Sequence, residues 1–354
     1  MTAISSNSSN MTSGEELAAR VLLLTSCSLS LIGTTTIITT YVIWPKIRSV
    51  ARQLLVFLSV ADFLVAAGNA AGTIGNGDHD AGLFCKLQST VTTFANLCSF
   101  FWTVVIASYI FISIVLHRSD VARNLVPVYH MICWIIPAAI VAAAFIADVL
   151  GMPDTNKYTY GWCWIRSDLN VHKMRMWMLV TGKGWEVGAY IVTLVLYMII
   201  KCYLWINKHT THAHFQTAPE AATVQRINRK MTLVPIIFIC LRIWGTIRFF
   251  LSQANHLNAA TQPALIILQG IGDSGQGWAN CILFCLLNYR VRERLKKACF
   301  NCLCCQCVCD DNEEERQQLD PQRVNSLRSV YSRVDDLSTE SSVNETQAYA
   351  HSDA

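Results

Sequence analysis

Charged residues are scarce in this sequence. Aspartate, glutamate, lysine and arginine make up 15% of the 354 residues, whereas a soluble domain carries about 25%. Hydrophobic residues make up 53% and the formal net charge is only +4. No stripe of basic residues of the kind that binds nucleic acid is present, because the lysines and arginines lie between apolar segments. The composition therefore argues against a soluble or nucleic-acid-binding protein and predicts a lipid bilayer as the main surroundings.

Other missing features exclude particular functions. The polar N-terminus lacks a basic segment and a cleavage site, so we expect the first apolar helix to act as the targeting signal. The last apolar segment, 262–287, contains no lysine, which excludes a retinal Schiff base there. His209, His212 and His214 have no carboxylate or cysteine nearby, so a solvated loop is favoured over a metal site. We therefore predict no enzymatic activity, no cofactor and no metal.

Seven apolar segments are long enough to cross roughly 30 Å of hydrocarbon. The sequence thus predicts an all-α membrane protein with a bundle of seven transmembrane helices. A transporter with the same helices is the alternative from another functional class, although no internal repeat is visible. The predicted spans are 18–43, 53–75, 87–116, 126–149, 175–204, 231–252 and 262–287.

The distribution of lysine and arginine predicts the orientation. Most of these residues flank the same ends of the segments, and the positive-inside rule places those ends in the cytoplasm. The N-terminus is then outside, where Asn7 and Asn10 stand in glycosylation sequons. The predicted organisation is an extracellular segment 1–17, a membrane domain 18–287, an amphipathic juxtamembrane helix 288–299 and a cytoplasmic tail 300–354.

Two cysteines lie in loops on the predicted outer side. Cys85 is at the start of the third helix, and Cys163 stands between Trp162 and Trp164. An oxidising exterior favours a disulfide between them, with two free thiols as the alternative. The bond would hold the second outer loop over the bundle.

Charged residues inside the predicted spans need a partner or a function, because a charge at the bilayer centre costs about 2.5–3.5 kcal/mol. Lys183 and Glu186 share a helix face, so they either satisfy each other or contact a polar ligand. The candidates for a ligand pocket or an internal lock also include two tryptophans and the charged residues of helices two, six and seven. The full set is Asp62, Trp102, Lys183, Glu186, Arg242, Trp244, Arg248 and Asp273.

The remaining buried charges leave alternatives open. Asp62 is either a switch element or ion site, or a hydrogen-bond hub with Asn280 or Asn96. Arg248 reaches the surface or binds an anionic ligand group. Arg242 lies too deep in the membrane to reach the surface easily. We expect it to pair with Asp273 or Glu186 and to hold the bundle in its inactive state. Helix seven contains several glycines that are expected to loosen it, and these are Gly270, Gly272, Gly275 and Gly277.

The segment after the last span is rich in cysteine. The basic and apolar pattern of 288–299 favours a helix lying on the inner leaflet. Palmitoylation is favoured over a zinc cluster because the cysteines are too densely spaced for tetrahedral pairs. The palmitoylation candidates are Cys299, Cys302, Cys304 and Cys305. Beyond them we expect a disordered tail whose serines and threonines are phosphorylated by kinases and recognised by arrestin.

Several segments resemble the slime-mould cyclic-AMP-receptor-like family of G-protein-coupled receptors. They are GWCWI from 161, LVTGKGWEVGAY from 179, LVPIIFICLRIWGTIRF from 233 and LQGIGDSGQGWANCILF from 268. The usual marks of rhodopsin-like receptors are missing, since helix three ends in VLHRSD and helix seven has no Asn-Pro-x-x-Tyr. The resemblance runs from about Val21 to Arg292.

This resemblance implies a receptor at the plasma membrane that passes a signal from an unidentified extracellular ligand to a heterotrimeric G protein. For animal members it suggests a Gq-type route through phospholipase C to inositol phosphate and calcium, at a cilium. The G-protein contacts would lie at the inner helix ends, although the positive-inside rule alone explains the same charges. These candidates are His117, Arg118, Arg226, Arg229, Lys230 and Arg292.

Overall fold

A computed structural model describes most of the apolar part of the chain. The described ranges are 13–45, 48–75, 81–152, 163–166, 168–206, 233–254, 261–286 and 291–297. The sequons at Asn7 and Asn10, the residues Arg226, Arg229 and Lys230, and the cysteines from Cys299 onward lie outside them. The predictions made on these residues therefore stay predictions.

The described residues are almost entirely helical. The first three helices are long and continuous: α1 (Ser13–Ile43), α2 (Val50–Ile74) and α3 (Ala81–Ile114). Shorter pieces follow: α4 (Ser119–Asn124), α5 (Val126–His130), α6 (Ile136–Ile146), α7 (Val171–Met178) and α8 (Gly184–Ile206). The next two helices are α9 (Leu233–Gln253) and α10 (Gln262–Cys281). A further helical segment covers 291–297, inside the range 288–299 where the sequence predicts an amphipathic helix.

In the described part of the chain, six helical stretches are long and apolar enough to cross a membrane. They are Ser13–Ile43, Val50–Ile74, Gly82–Ile114, Val126–Ile146, Val171–Ile206 and Leu233–Gln253. Each coincides with one of the first six predicted spans, so the all-α membrane class is confirmed. The predicted seventh span corresponds to α10, which is rich in polar residues. Its polar side chains, among them Gln269, Asp273, Gln276 and Asn280, are buried.

Among the described residues, three π-helical turns occur that the sequence did not predict. The turn Met131–Ile135 separates α5 from α6, Leu179–Lys183 separates α7 from α8, and Ile282–Leu286 follows α10. The first has a local cause, since Pro137 stands at the start of α6. Proline has no N–H to donate to the preceding turn, and the wider turn accommodates that gap.

The glycines of α10 permit close packing against neighbouring helices. The α-helix runs without interruption from Gln262 to Cys281. A Cβ added to Gly277 would lie 2.6 Å from Thr34 Cγ2 of α1, and one added to Gly33 would lie 3.0 Å from Gly277 O. Ser26 Oγ donates to Ile271 O at 3.0 Å across the same contact. Small residues here let two helix backbones approach, as in membrane helix pairs, and the expectation that they loosen the helix stays a prediction.

A short antiparallel β-hairpin lies beside the start of α3. Its strands are β1 (Leu150–Gly151) and β2 (Trp164–Ile165), with Leu150 opposite Ile165 and Gly151 opposite Trp164. Leu150 and Ile165 are almost fully buried and belong to one apolar core cluster with Leu97, Phe100 and Phe238. The hairpin is thus part of the packed structure, and it covers one end of the bundle.

Candidate functional site

The predicted disulfide is present. Cys85, near the start of α3, is bonded to Cys163, immediately before β2, with their Cα atoms 5.4 Å apart. Both cysteines are buried. The backbone N–H of Cys163 also donates to Gln88 Oε1 at 3.4 Å, and Gln88 Nε2 donates to Gly68 O at 3.1 Å. The hairpin is therefore fastened to α3 and, through Gln88, to α2.

Replacing Cys163 by alanine is expected to lower the free energy of unfolding by about 2–4 kcal/mol, because the bond no longer restricts the unfolded chain. The measurement is the thermal stability of the detergent-solubilised protein together with its surface level in cells. Cys85→Ala should have the same effect, and the double variant should add nothing further. Cys202→Ala is the matched control, since Cys202 is a free and exposed cysteine. Wild-type stability in Cys163→Ala would show that the bond is dispensable.

A group of exposed ion pairs also holds the hairpin, and the sequence did not predict it. Lys86 Nζ lies 2.5 Å from Asp148 Oδ1, and Arg166 Nη1 lies 2.6 Å from Asp148 Oδ2. Arg166 also pairs with Asp168 at 2.5 Å. The hydrogen bond from Lys86 is the main cause that lowers the pKa of Asp148 below its usual value, and the bond from Arg166 lowers the pKa of Asp168. Both carboxylates therefore stay ionised at neutral and mildly acidic pH.

Lys183 and Glu186 form a buried ion pair, which is the first of the two alternatives that their spacing allowed. Lys183 Nζ lies 2.6 Å from Glu186 Oε2, and both side chains are almost fully buried. Tyr190 OH donates to Glu186 Oε1 at 2.7 Å, and Thr246 of α9 donates to the same oxygen at 3.2 Å. The pair thus connects the π-helical turn Leu179–Lys183, α8 and α9.

A second buried pair joins α9 to α10. Arg242 Nη1 lies 4.0 Å from Asp273 Oδ1, and the guanidinium carbon is 4.8 Å from the centre of the Phe100 ring. Gln269 Nε2 donates to Asp273 Oδ2 at 3.2 Å. Arg248 Nη1 donates to Gln269 Oε1 at 2.8 Å. Of the two partners expected for Arg242, the structure thus selects Asp273.

Asp62 lies in a separate polar group between α2, α3 and α10. Ser99 Oγ donates to Asp62 Oδ1 at 2.8 Å, and Asn280 Nδ2 lies 3.4 Å from Asp62 Oδ2. Asn96, the other expected partner, donates instead to Thr92 O of its own helix. Neutral groups therefore hold the Asp62 carboxylate, in the arrangement of a hydrogen-bond hub.

The two candidate tryptophans have different surroundings. Trp102 is fully buried, stacks on Phe57 at 5.3 Å and meets His130 and Trp134 edge-on. Trp244 lies at the surface of the bundle with 36% of its area exposed. Trp102 is thus placed for packing and Trp244 for contact with lipid. A role of either residue in a pocket stays a prediction.

The opposite end of the bundle carries the G-protein candidates that the structure describes. His117 follows α3 in a left-handed backbone conformation with φ of 53°, and its Nε2 lies 2.6 Å from Tyr203 OH of α8. Arg118 comes directly before α4, and Arg292 lies in the helical segment 291–297. His117 therefore ties the end of α3 to the end of α8.

Sequence reasoning missed the neutral members of these networks. They are Ser99, Tyr190, Thr246 and Gln269. For two of them the spacing in the sequence was a signal, since Tyr190 comes four residues after Glu186 and Gln269 comes four residues before Asp273. Residues four apart lie on the same face of a helix. Ser99 and Thr246 had no such signal because their partners are on other helices.

These observations define a multi-pass membrane protein with a disulfide-held cap at one end and a buried polar network below it. Within the described residues, no cluster of histidine, cysteine, aspartate and glutamate could hold a metal ion. The networks instead join helices to one another, α2 with α3 and α10, and α8 with α9 and α10. A displacement of one of these helices would therefore act on the helices joined to it.

Comparison with known proteins gives the family. Residues 10–256 match the family described as slime mold cyclic AMP receptor. G-protein coupled receptor 157 of Mus musculus is 40% identical over 293 residues, which cover 80% of this chain and 86% of that protein. The Homo sapiens protein of the same name is 39% identical over 291 residues, covering 79% and 84%. Cyclic AMP receptor-like protein A of Dictyostelium discoideum is 21% identical over 284 residues, covering 79% and 68%.

The chain therefore belongs to the slime-mould cyclic-AMP-receptor-like family, as its motifs indicated. Within that family it is similar to G-protein coupled receptor 157 over most of its length. It is a membrane protein of the G-protein-coupled receptor class, and these relatives are receptors and not enzymes.

Proposed function

We propose that this protein is a seven-span receptor that passes an extracellular signal to a heterotrimeric G protein. The observation that supports this function best is the buried network of Lys183–Glu186 and Arg242–Asp273 below the fastened hairpin. Two charged pairs in a low-dielectric bundle have a small number of stable arrangements, so a ligand that alters one pair shifts the whole bundle between states. The family membership supports the same class of function.

The proposed topology places the N-terminus and the hairpin outside the cell. Lysine and arginine are concentrated at the opposite helix ends, and the disulfide requires an oxidising compartment. In this topology α10 is the seventh span. Its burial against α1 and α9 supports the assignment, because a polar helix is stable in a membrane when neighbouring helices cover its polar face.

We infer further partners and modifications from the sequence and the resemblance. The G protein is of the Gq type, so activation releases inositol phosphate and calcium. Arrestin and kinases act on the tail, the sequons at Asn7 and Asn10 carry glycans, and palmitate attaches to Cys299, Cys302, Cys304 and Cys305. The protein resides in the plasma membrane, including the ciliary membrane. Its ligand is an extracellular molecule that remains to be identified.

The decisive experiment is second-messenger profiling of the full chain in cells that lack individual G-protein families. A calcium and inositol phosphate response that disappears only in cells without Gq proteins is expected. A cyclic AMP response would support the receptor function with another G protein. Movement of a solute without any G-protein response would instead support a transporter.

Replacing Arg118 by alanine is expected to lower this response about tenfold at equal surface level, equivalent to about 1.4 kcal/mol of lost interaction. The reason is that Arg118 comes directly before α4, at the end of the bundle where the G protein docks in the proposed topology. Arg123→Ala is the matched control, because it removes the same charge from α4 and has the same effect on topology. Equal responses in the two variants would contradict a specific contact of Arg118 with the G protein.

A further inference from the structure

Trp164 of the hairpin lies directly against Gly182. A Cβ added to Gly182 would lie 2.9 Å from Trp164 Cζ2 and 3.6 Å from Cη2. Real Cβ atoms essentially never come this close to another atom, so the ring occupies the space that a side chain would need. Two of the sequence segments that indicate the family, GWCWI and LVTGKGWEVGAY, are thus in contact through these two residues.

Gly182 belongs to the π-helical turn Leu179–Lys183, which a second glycine closes. The backbone N–H of Gly184 donates to Leu179 O, the bond that defines the wide turn. A Cβ added to Gly184 would lie 2.7 Å from that same oxygen. The two positions on either side of Lys183 therefore require glycine for different steric reasons. Gly182 accommodates the Trp164 ring, and Gly184 accommodates the turn itself.

The turn carries a member of the buried network. Lys183 is its last residue, and the Lys183 side chain pairs with Glu186, whose other oxygen accepts from Tyr190 and Thr246. A π-helical turn has weaker geometry than the α-helix and is frequent at functional sites. Its conformation determines where the backbone of Lys183 lies relative to α8.

The hairpin that carries Trp164 is held in place by covalent and polar bonds. Its neighbour Cys163 is bonded to Cys85, and Arg166 N donates to Val149 O at 2.9 Å across the strands. The ion pairs of Asp148 with Lys86 and Arg166 hold the same segment. A displacement of the hairpin therefore moves the Trp164 ring against or away from the turn.

We propose that Trp164 is a positioning residue through which the hairpin sets the conformation of the turn Leu179–Lys183, and with it the Lys183–Glu186 pair. This inference deepens the proposed receptor function, since it names the contact by which an event at the hairpin reaches the buried network. The ring holds the π-helical turn in the observed state. Loss of the contact lets the turn convert to other conformations and releases Lys183.

Amide hydrogen exchange of the purified full chain in lipid nanodiscs tests the contact without a G protein. Trp164→Ala and Gly182→Ala are each expected to speed exchange in peptides covering 179–184 by about 5-fold or more, the lower limit of typical coupling between sites. Peptides from the second half of α8 serve as an internal reference for global unfolding. Unchanged exchange at 179–184 in Trp164→Ala would overturn the proposal.

Gly188→Ala is the matched control, because an added Cβ at Gly188 meets nothing within 4 Å. It should leave exchange at 179–184 unchanged. A rescue separates a specific contact from general damage: Trp164→Phe, with a shorter ring, should restore slow exchange in the Gly182→Ala background. The contrary outcome is that the rescue fails and that Gly188→Ala speeds exchange at 179–184 as much as Gly182→Ala does. Any added methyl would then loosen the turn, which would overturn the role of Trp164.

A second experiment measures second-messenger signalling in cells that carry equal amounts of each variant at their surface. Trp164→Ala is expected to change basal second-messenger output about 5-fold, and this change should vanish when Lys183→Met and Glu186→Gln are also present. A change of the same size in that background would overturn the link to the ion pair. Movement of a solute without any G-protein response would make the receptor function fail, while the exchange arm still decides whether Trp164 positions the turn.

Discussion

Replacing Gly272 by alanine is expected to prevent the protein from reaching the cell surface in its folded form. An added Cβ at Gly272 would lie 1.9 Å from Leu241 O and 2.9 Å from Leu241 C. The obstacle is the backbone of α9, which cannot move aside in the way that a flexible side chain can. Helices α9 and α10 would have to separate, which also separates Arg242 from Asp273. Overpacking costs about 1–3 kcal/mol and occasionally more, and we expect the upper end here.

Gly270→Ala provides the matched control in the same helix. An added Cβ at Gly270 would meet Leu23 Cδ1 at 3.5 Å, an ordinary contact with the end of a side chain. Both substitutions give the helix the same gain in propensity, about 1 kcal/mol, so their difference isolates the contact with α9. The measurements are the melting temperature in detergent and the surface level by antibody labelling. Equal melting temperatures in the two variants would show that α9 and α10 do not pack this closely.

Replacing Arg242 by methionine is expected to destabilise the protein by about 3–5 kcal/mol, because it leaves Asp273 buried without its cation. Both side chains are almost fully buried, with 3% of the Arg242 and 7% of the Asp273 side chain exposed. Removing both charges is less harmful than removing one. The double variant Arg242→Met, Asp273→Asn should therefore recover at least about half of the loss. The reason is that the amide oxygen introduced by the second substitution can still accept from Gln269. The measurement is the melting temperature of each variant in detergent.

The same variant tests the proposed internal lock. The fraction of Arg242→Met that reaches the surface is expected to signal more strongly without ligand than the wild type, because α9 and α10 are no longer held together. Basal second-messenger output per surface receptor is the measurement. Arg175→Met removes an exposed arginine of α7 and should change neither stability nor output. Lower surface level with unchanged output per receptor would assign Arg242 to folding alone.

The sequence by itself determined the membrane class, six of the spans and the family. A continuous apolar segment of about 20 residues can satisfy its backbone hydrogen bonds within itself, in lipid, as a helix. It also favoured the Cys85–Cys163 bond over two free thiols, because the predicted topology left these two cysteines on the same side of the membrane, and the structure contains that bond. The close pair Lys183–Glu186 was predictable as one of two alternatives, since both residues lie on one turn of one helix.

Only the tertiary structure decided which distant residues meet. Asp62 is bound by Ser99 and Asn280, and Arg242 pairs with Asp273 and not with Glu186. These choices depend on the depth and rotation of one helix relative to another, which no local pattern in the chain specifies. The glycines of α10 show the same limit, because only the structure shows that Gly272 and Gly277 lie against the neighbouring helices α9 and α1. Gly182 has a defined role only because Trp164, from another segment, lies against it.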